Sequence, residues 1–172
     1  TNATNLTCNV IDCAYDATAA NISINDVVVY KGKQVAVKNI NSYALYDNDS
    51  IKTLYVNNDG SVGDYAFYKC NGLESDLIVE NNGAVGSYAF YGSSMTGLDI
   101  KNAGSIGLSA FYGCREMQTA NISNNGHIGS KAFGICTALR TLEIDNNGYI
   151  GSSAFAGCSA LKTANISNKG YI

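Results

Sequence analysis

Ile128-Gly-Ser-Lys-Ala-Phe-Gly-Ile-Cys-Thr-Ala-Leu-Arg-Thr-Leu-Glu-Ile-Asp-Asn-Asn-Gly-Tyr149 is one period of a sequence that repeats along most of the chain. Its opening motif is Ile or Val, Gly, two variable residues, Ala and Phe. The motif starts at Val62, Val85, Ile106, Ile128 and Ile150, and a weaker copy starts at Ile40. Successive starts lie 22, 23, 21, 22 and 22 residues apart. A fixed period in the twenties marks a solenoid, in which each unit buries its apolar face against the next.

Within the period, Leu139-x-x-Leu142-x-Ile144-x-x-Asn147 has the leucine-rich-repeat strand pattern. Leu142 and Ile144 are two apart, so both point to one face of a strand and Glu143 points to the other. Asn147 falls where the chain turns, and its amide is expected to satisfy backbone groups there. Gly148 is expected to supply a positive φ. After Ile150 and Gly151 the stretch Ser-Ser-Ala-Phe-Ala-Gly, 152–157, reads as a short helix. Phe67, Phe90, Phe111, Phe133 and Phe155 are the only phenylalanines and share one position. Stacked, they predict a ladder of rings through the core. The 23-residue unit carries its extra residue between Leu73 and Leu77, and the 21-residue unit is one short around Ser93-Ser94-Met95.

Outward from the repeats, residues 1–39 break the period. Val27–Tyr30 and Gln34–Lys38, around Lys31-Gly32-Lys33, read as a hairpin in an N-terminal cap. Thr18-Ala-Ala-Asn-Ile-Ser-Ile24 echoes Thr163-Ala-Asn-Ile-Ser167 and suggests a degenerate strand there. The units starting at 40, 62, 85, 106, 128 and 150 fill residues 40–172, and the sequence stops at the first residue of a seventh. It also begins without Met. We therefore expect a mature or trimmed piece of a longer array, with an uncapped C-terminal end prone to self-association.

The units Ile-Gly-x-x-Ala-Phe-x-Gly-Cys-x-x-Leu resemble the leucine-rich repeats of the BspA-like family. The segment from Val27 to Ile40 is similar to the strand pair that leads into the first repeat there. The resemblance covers roughly residues 18–172. It implies a right-handed leucine-rich-repeat solenoid of α/β class, with one parallel-sheet strand per ~22-residue repeat and short helices or turns on the opposite face. It further implies surface proteins of anaerobic bacteria or parasitic protists, often adhesins that engage host or neighbouring-cell proteins. That makes the expected location extracellular and the expected role binding without catalysis. The family often has Ile-Pro after the strand, where this chain has Ile-Ser-Asn-Asn-Gly or Ile-Asp-Asn-Asn-Gly. Its ligand sites follow no motif, so the resemblance assigns no binding residue.

The composition sets further bounds. The 172 residues are 46% hydrophobic and 15% charged, with net charge −3. That is enough apolar content for a core, and the chain does not read as disordered. No window clusters Lys and Arg, so nucleic acid is a poor partner. No apolar run approaches the ~20 residues that cross a bilayer.

Candidate chemistry is sparse. Cys70, Cys114, Cys136 and Cys158 share one position and read as a column of buried, reduced thiols, since no pair has zinc-knuckle spacing. Cys8 and Cys13 lie in the cap and are candidates for a disulfide. His127, the single histidine, sits in a turn, and no catalytic motif surrounds it. No metal site or cofactor is expected. Two surfaces remain. Outward strand residues, read as a concave face, include Tyr55, Asp76, Asp99, Asn121, Glu143, Asp145 and Asn165, a polar, mildly acidic set suited to a glycan or peptide. Tyr43, Tyr65 and Tyr88 share one position of the unit, and Tyr46, Tyr68, Tyr91 and Tyr112 another. Seven rings on the N-terminal half form a possible aromatic contact patch, or serve packing between turns. Protein binding leads over glycan binding because Tyr55 is the only aromatic on the strand face.

Overall fold

The computed structural model describes residues 7–10, 21–24, 27–30 and 33–171. The strands are β1 (Thr7–Val10), β2 (Asn21–Ile24), β3 (Val27–Tyr30), β4 (Lys33–Ile40), β5 (Thr53–Asn58), β6 (Leu77–Asn81), β7 (Gly97–Asn102), β8 (Thr119–Asn124), β9 (Thr141–Asn146) and β10 (Thr163–Asn168). β5 to β10 stack in chain order as a parallel sheet, and β2 takes the next place beside β5. β2 is the segment that echoes the later strands. β1 and β3 flank β4 in a second sheet, parallel and antiparallel to it respectively. The candidate Cys8–Cys13 disulfide lies outside what the structure describes.

The strands β5, β6, β8 and β9 alternate, as β8 shows: Ala120, Ile122 and Asn124 face inward, and Thr119, Asn121 and Ser123 face water. A second ladder runs alongside, in which Ile40, Val62, Val85, Ile106, Ile128 and Ile150 pair in parallel from coil to coil. The core between them is built of columns. Phe67, Phe90, Phe111, Phe133 and Phe155 stack with centroids 4.9–5.3 Å apart and planes within 9° of parallel. Ile51, Leu73, Met95, Met117 and Leu139 form another buried column, spaced 22 residues throughout. The extra residue before Leu77 and the missing one after Ser93 lie on either side of this column, so its period stays regular.

The side opposite the sheet is built of stacked turns. Among the described residues no helix forms, which corrects the expectation of short helices at positions such as 152–157. The backbone shows why. Ser109 and Gly113 adopt left-handed φ of 52° and 73°, which breaks a right-handed run. Alternate N–H groups then leave the coil. Ser109, Phe111 and Gly113 donate to Ser130, Ala132 and Gly134 of the next one, while Ala110 and Tyr112 donate three residues back. A helix is ~10 Å across, and coils that share parallel strands are ~4.8 Å apart. Helices in adjacent coils would collide, whereas turns stack at the strand spacing. Since rings on the turn side are also 4.9–5.3 Å apart, both sides advance together.

Candidate interaction surfaces

Asparagine closes each coil. The inward alternation of β9 runs past Leu142 and Ile144 to Asn146, which is fully buried, while Asn147 is exposed. The buried turn asparagine is thus one residue earlier than the sequence pattern suggested. Its Nδ2 donates to Asn168 Oδ1 at 2.7 Å and to the carbonyl of Gly148 at 2.7 Å. Asn81, Asn102 and Asn124 each donate to the next asparagine in the same way, at 2.7–2.9 Å. The column is interrupted once. Asn58 turns its amide to the carbonyl of Lys38, and the Oδ1 atoms of Asn58 and Asn81 are buried without a partner among the described residues. Gly148 is not in the left-handed region, contrary to expectation. Glycine is needed because a Cβ there would overlap the carbonyl oxygen of Gly126.

The outward strand residues form registered rows. Ser23, Tyr55, Ile78, Asp99, Asn121, Glu143 and Asn165 lie in one, and Asn57, Glu80, Lys101, Ser123, Asp145 and Ser167 in the next. Asp76 precedes β6 and accepts a hydrogen bond from Thr96 Oγ1 at 2.8 Å. Neighbours along a row satisfy each other. Asn165 Nδ2 donates to Glu143 at 2.7 Å and Asn121 Nδ2 to Asp99 at 3.3 Å. Lys101 pairs with Glu80 at 3.0 Å, and Tyr55 donates its hydroxyl to Glu80. The Lys101 ammonium, then the Tyr55 hydroxyl, hold the Glu80 carboxyl below its ordinary value. At one end of this face Tyr55, Ile78, Asp76, Thr53 and Asn21 line an open groove of about 310 Å³.

The seven tyrosines form two parallel rows on the turn side. Rings of Tyr43, Tyr65 and Tyr88 stack 4.9–5.1 Å apart, and those of Tyr46, Tyr68, Tyr91 and Tyr112 stack 4.9–5.3 Å apart. Rings of the two rows meet at 46–48°. Tyr43 is 58% exposed and Tyr46 46%, and the other five are half-buried. Stacking covers the ring faces, so the strip presents edges and hydroxyls. Burial, then the neighbouring phenols, raises the Tyr65 hydroxyl above its ordinary value.

The cysteine column points inward. Cys70, Cys114, Cys136 and Cys158 direct their thiols at backbone carbonyls of the preceding coil, at 3.2–3.3 Å. Ser93 takes the same place in the odd coil, with its hydroxyl 2.8 Å from the carbonyl of Phe67. Burial pushes the Cys70 and Cys114 thiols up to about 12, far from reactive thiolates. His127 accepts the backbone N–H of Tyr149 at Nδ1 and stacks on its ring. Its imidazole joins two coils. Among the described residues no group of metal-ligating side chains gathers, and no helix is long and apolar enough to cross a membrane.

The repeat geometry agrees with the sequence profile. Residues 18–103 and 38–162 match the BspA type leucine rich repeat region, with six copies. The chain belongs to the BspA type leucine-rich repeat family. Among solved structures, this BspA type chain is similar to a leucine-rich repeat protein from Bacteroides ovatus, with TM-score 0.55 and 19% identity. The match covers 88% of this chain and 47% of that one, so this chain spans about half its length. A leucine rich cell surface protein from Faecalibacterium prausnitzii aligns with TM-score 0.43 and 15% identity, over 96% of this chain and 73% of that one. No curated protein matches the sequence.

One surface escaped the sequence reading. Exposed residues beside the buried asparagines line a groove of about 340 Å³ with Lys101, Ser123 and Asp145. The signal was available: Asn-Asn-Gly at 81–83, 124–126 and 146–148 becomes Asn-Ala-Gly at 102–104.

Proposed function

We propose that this BspA type chain is a non-catalytic, adhesin-like binding module, displayed at a cell surface or secreted, that docks a host or neighbouring-cell protein. Membership of a protein-interaction repeat family supports the general class. The observation that carries the specific reading is the double row of tyrosines. Seven rings are held in place by their neighbours on a partly exposed strip, so little side-chain freedom is lost when a partner covers them. Tyrosine is enriched among the residues that dominate protein interfaces.

The test is a binding screen against immobilised extracellular-matrix and cell-surface proteins. A bound partner is expected to lose at least ~10-fold affinity on Tyr46→Ser/Tyr91→Ser, and little on Asp99→Ala/Glu143→Ala. The opposite pattern would move the contact to the strand face. A second reading, a glycan module on that face, is favoured by one feature. The groove of Tyr55, Ile78 and Asp76 sets an aromatic and an aliphatic side chain beside a carboxylate. A glycan array with Tyr55→Ala as control separates the two.

A further inference from the structure

The exposed residues that precede the turn glycines form a column of their own: Asp59, Asn82, Ala103, Asn125, Asn147 and Lys169. All six are placed alike, because each backbone N–H donates to a carbonyl of the coil before, as Asn82 does to Asn58 and Ala103 to Asn81. Their side chains run in one direction. Asn82 Nδ2 donates to Asp59 Oδ1 at 3.1 Å, and Asn147 Nδ2 donates to Asn125 Oδ1 at 2.6 Å. A carboxylate only accepts, so Asp59 fixes which end of the Asn82 amide faces it. Ala103 breaks the column. On one side of the gap stands Asn82 Oδ1, an acceptor, and on the other Asn125 Nδ2, a donor, neither with a partner among the described residues. The two rungs are ~10 Å apart, with room for one planar group between them. The groove of about 340 Å³ opens over this gap.

We propose that the gap at Ala103 is a binding site for the acetamido group of an N-acetylated amino sugar. A trans secondary amide points its C=O and N–H in opposite directions. One such group accepts from Asn125 Nδ2 and donates to Asn82 Oδ1, and so replaces the missing rung. Its methyl group meets the methyl of Ala103. Beyond the amide, the sugar hydroxyls, which both donate and accept, face the Ser123 hydroxyl, the Asp145 carboxylate and the Lys101 ammonium. An extended peptide fits less well, because it brings an amide every ~3.4 Å to a column with one vacancy. The site is separate from the tyrosine rows, so each can fail without the other.

The 172-residue chain, labelled with ¹⁵N, is titrated with N-acetylglucosamine, glucosamine and N-acetylglycine N-methylamide. N-acetylglucosamine is expected to shift the side-chain amide of Asn125 and the backbone N–H of Ala103 saturably, and glucosamine to bind at least about tenfold more weakly. Ala103→Asn fills the rung and is expected to abolish the shifts while the rest of the spectrum stays native. Asn125→Asp still accepts from Asn147 but has no donor for the ligand, and is expected to weaken binding by about tenfold. Absence of saturable shifts at tens of millimolar sugar, or equal binding of glucosamine, overturns the proposal. Tighter binding of the N-methylamide than of the sugar overturns the assignment to an amino sugar.

Discussion

Asn146 and Asn147 are adjacent and chemically identical, yet one is buried in a hydrogen-bonded column and the other lies at the surface. Their substitutions should therefore separate sharply. Asn146→Leu removes the acceptor of Asn124, the donor to Asn168 Oδ1 and the donor to the Gly148 carbonyl, all buried or half-buried. Each orphaned group costs about 1–3 kcal/mol, and we expect a loss of at least ~2 kcal/mol in urea unfolding. Asn147→Leu removes one exposed bond and should cost under ~0.5 kcal/mol. Comparable losses at both positions would contradict the inward placement of the earlier asparagine. The left-handed tyrosines belong to the same scale. Tyr43, Tyr65 and Tyr88 have φ of 57–62°, a conformation costly for a bulky residue. The other coils place Ser109, Lys131 and Ser153 there with φ of 52–57°, so the strain comes from the turn, and stacking against neighbouring rings offsets part of it.

Strands and turns were unequally legible. Alternation fixed which side chains of β8 and β9 face inward, and the row containing Asp99, Asn121 and Glu143 could be written down from the repeat alone. The turn strip could not. Ser-Ser-Ala-Phe-Ala-Gly suits a helix as well as a turn, and the choice is made by the spacing of neighbouring coils, which no single unit reveals. The groove at Ala103 was missed for a related reason. It consists of an absent side chain, visible only when the column is compared rung by rung. On β6 and β7, Glu80 and Lys101 face each other across the sheet, with Tyr55 above. The Glu80 carboxyl is held below its ordinary 4.5, so its stabilising effect is complete above that pH and fades as pH falls through the folded value. Glu80→Gln should thus lower Tm at pH ~7, and the difference from the unsubstituted chain should shrink and disappear as the carboxyl is protonated in acid. A difference that persists in acid would assign the effect to packing.

The whole molecule is a stack whose last strand, β10, is exposed along its length, with Ile166 44% accessible and Phe155 and Leu161 only partly covered. Taken by itself, a chain of these 172 residues should self-associate through this strand, because an open sheet edge pairs with another. Light scattering should show growth with concentration, reduced by Ile166→Lys. A strict monomer at millimolar concentration would rule the contact out. The ladders on the strand side, at Ile40 to Ile150 and along the turns join each coil to the next. A coil at the end is held by one such interface, and a coil in the middle by two. Opening therefore proceeds like a zipper from its ends, and amide hydrogens around Phe111 should exchange with deuterium far more slowly than those of β10, on a gradient that follows position in the stack rather than local sequence.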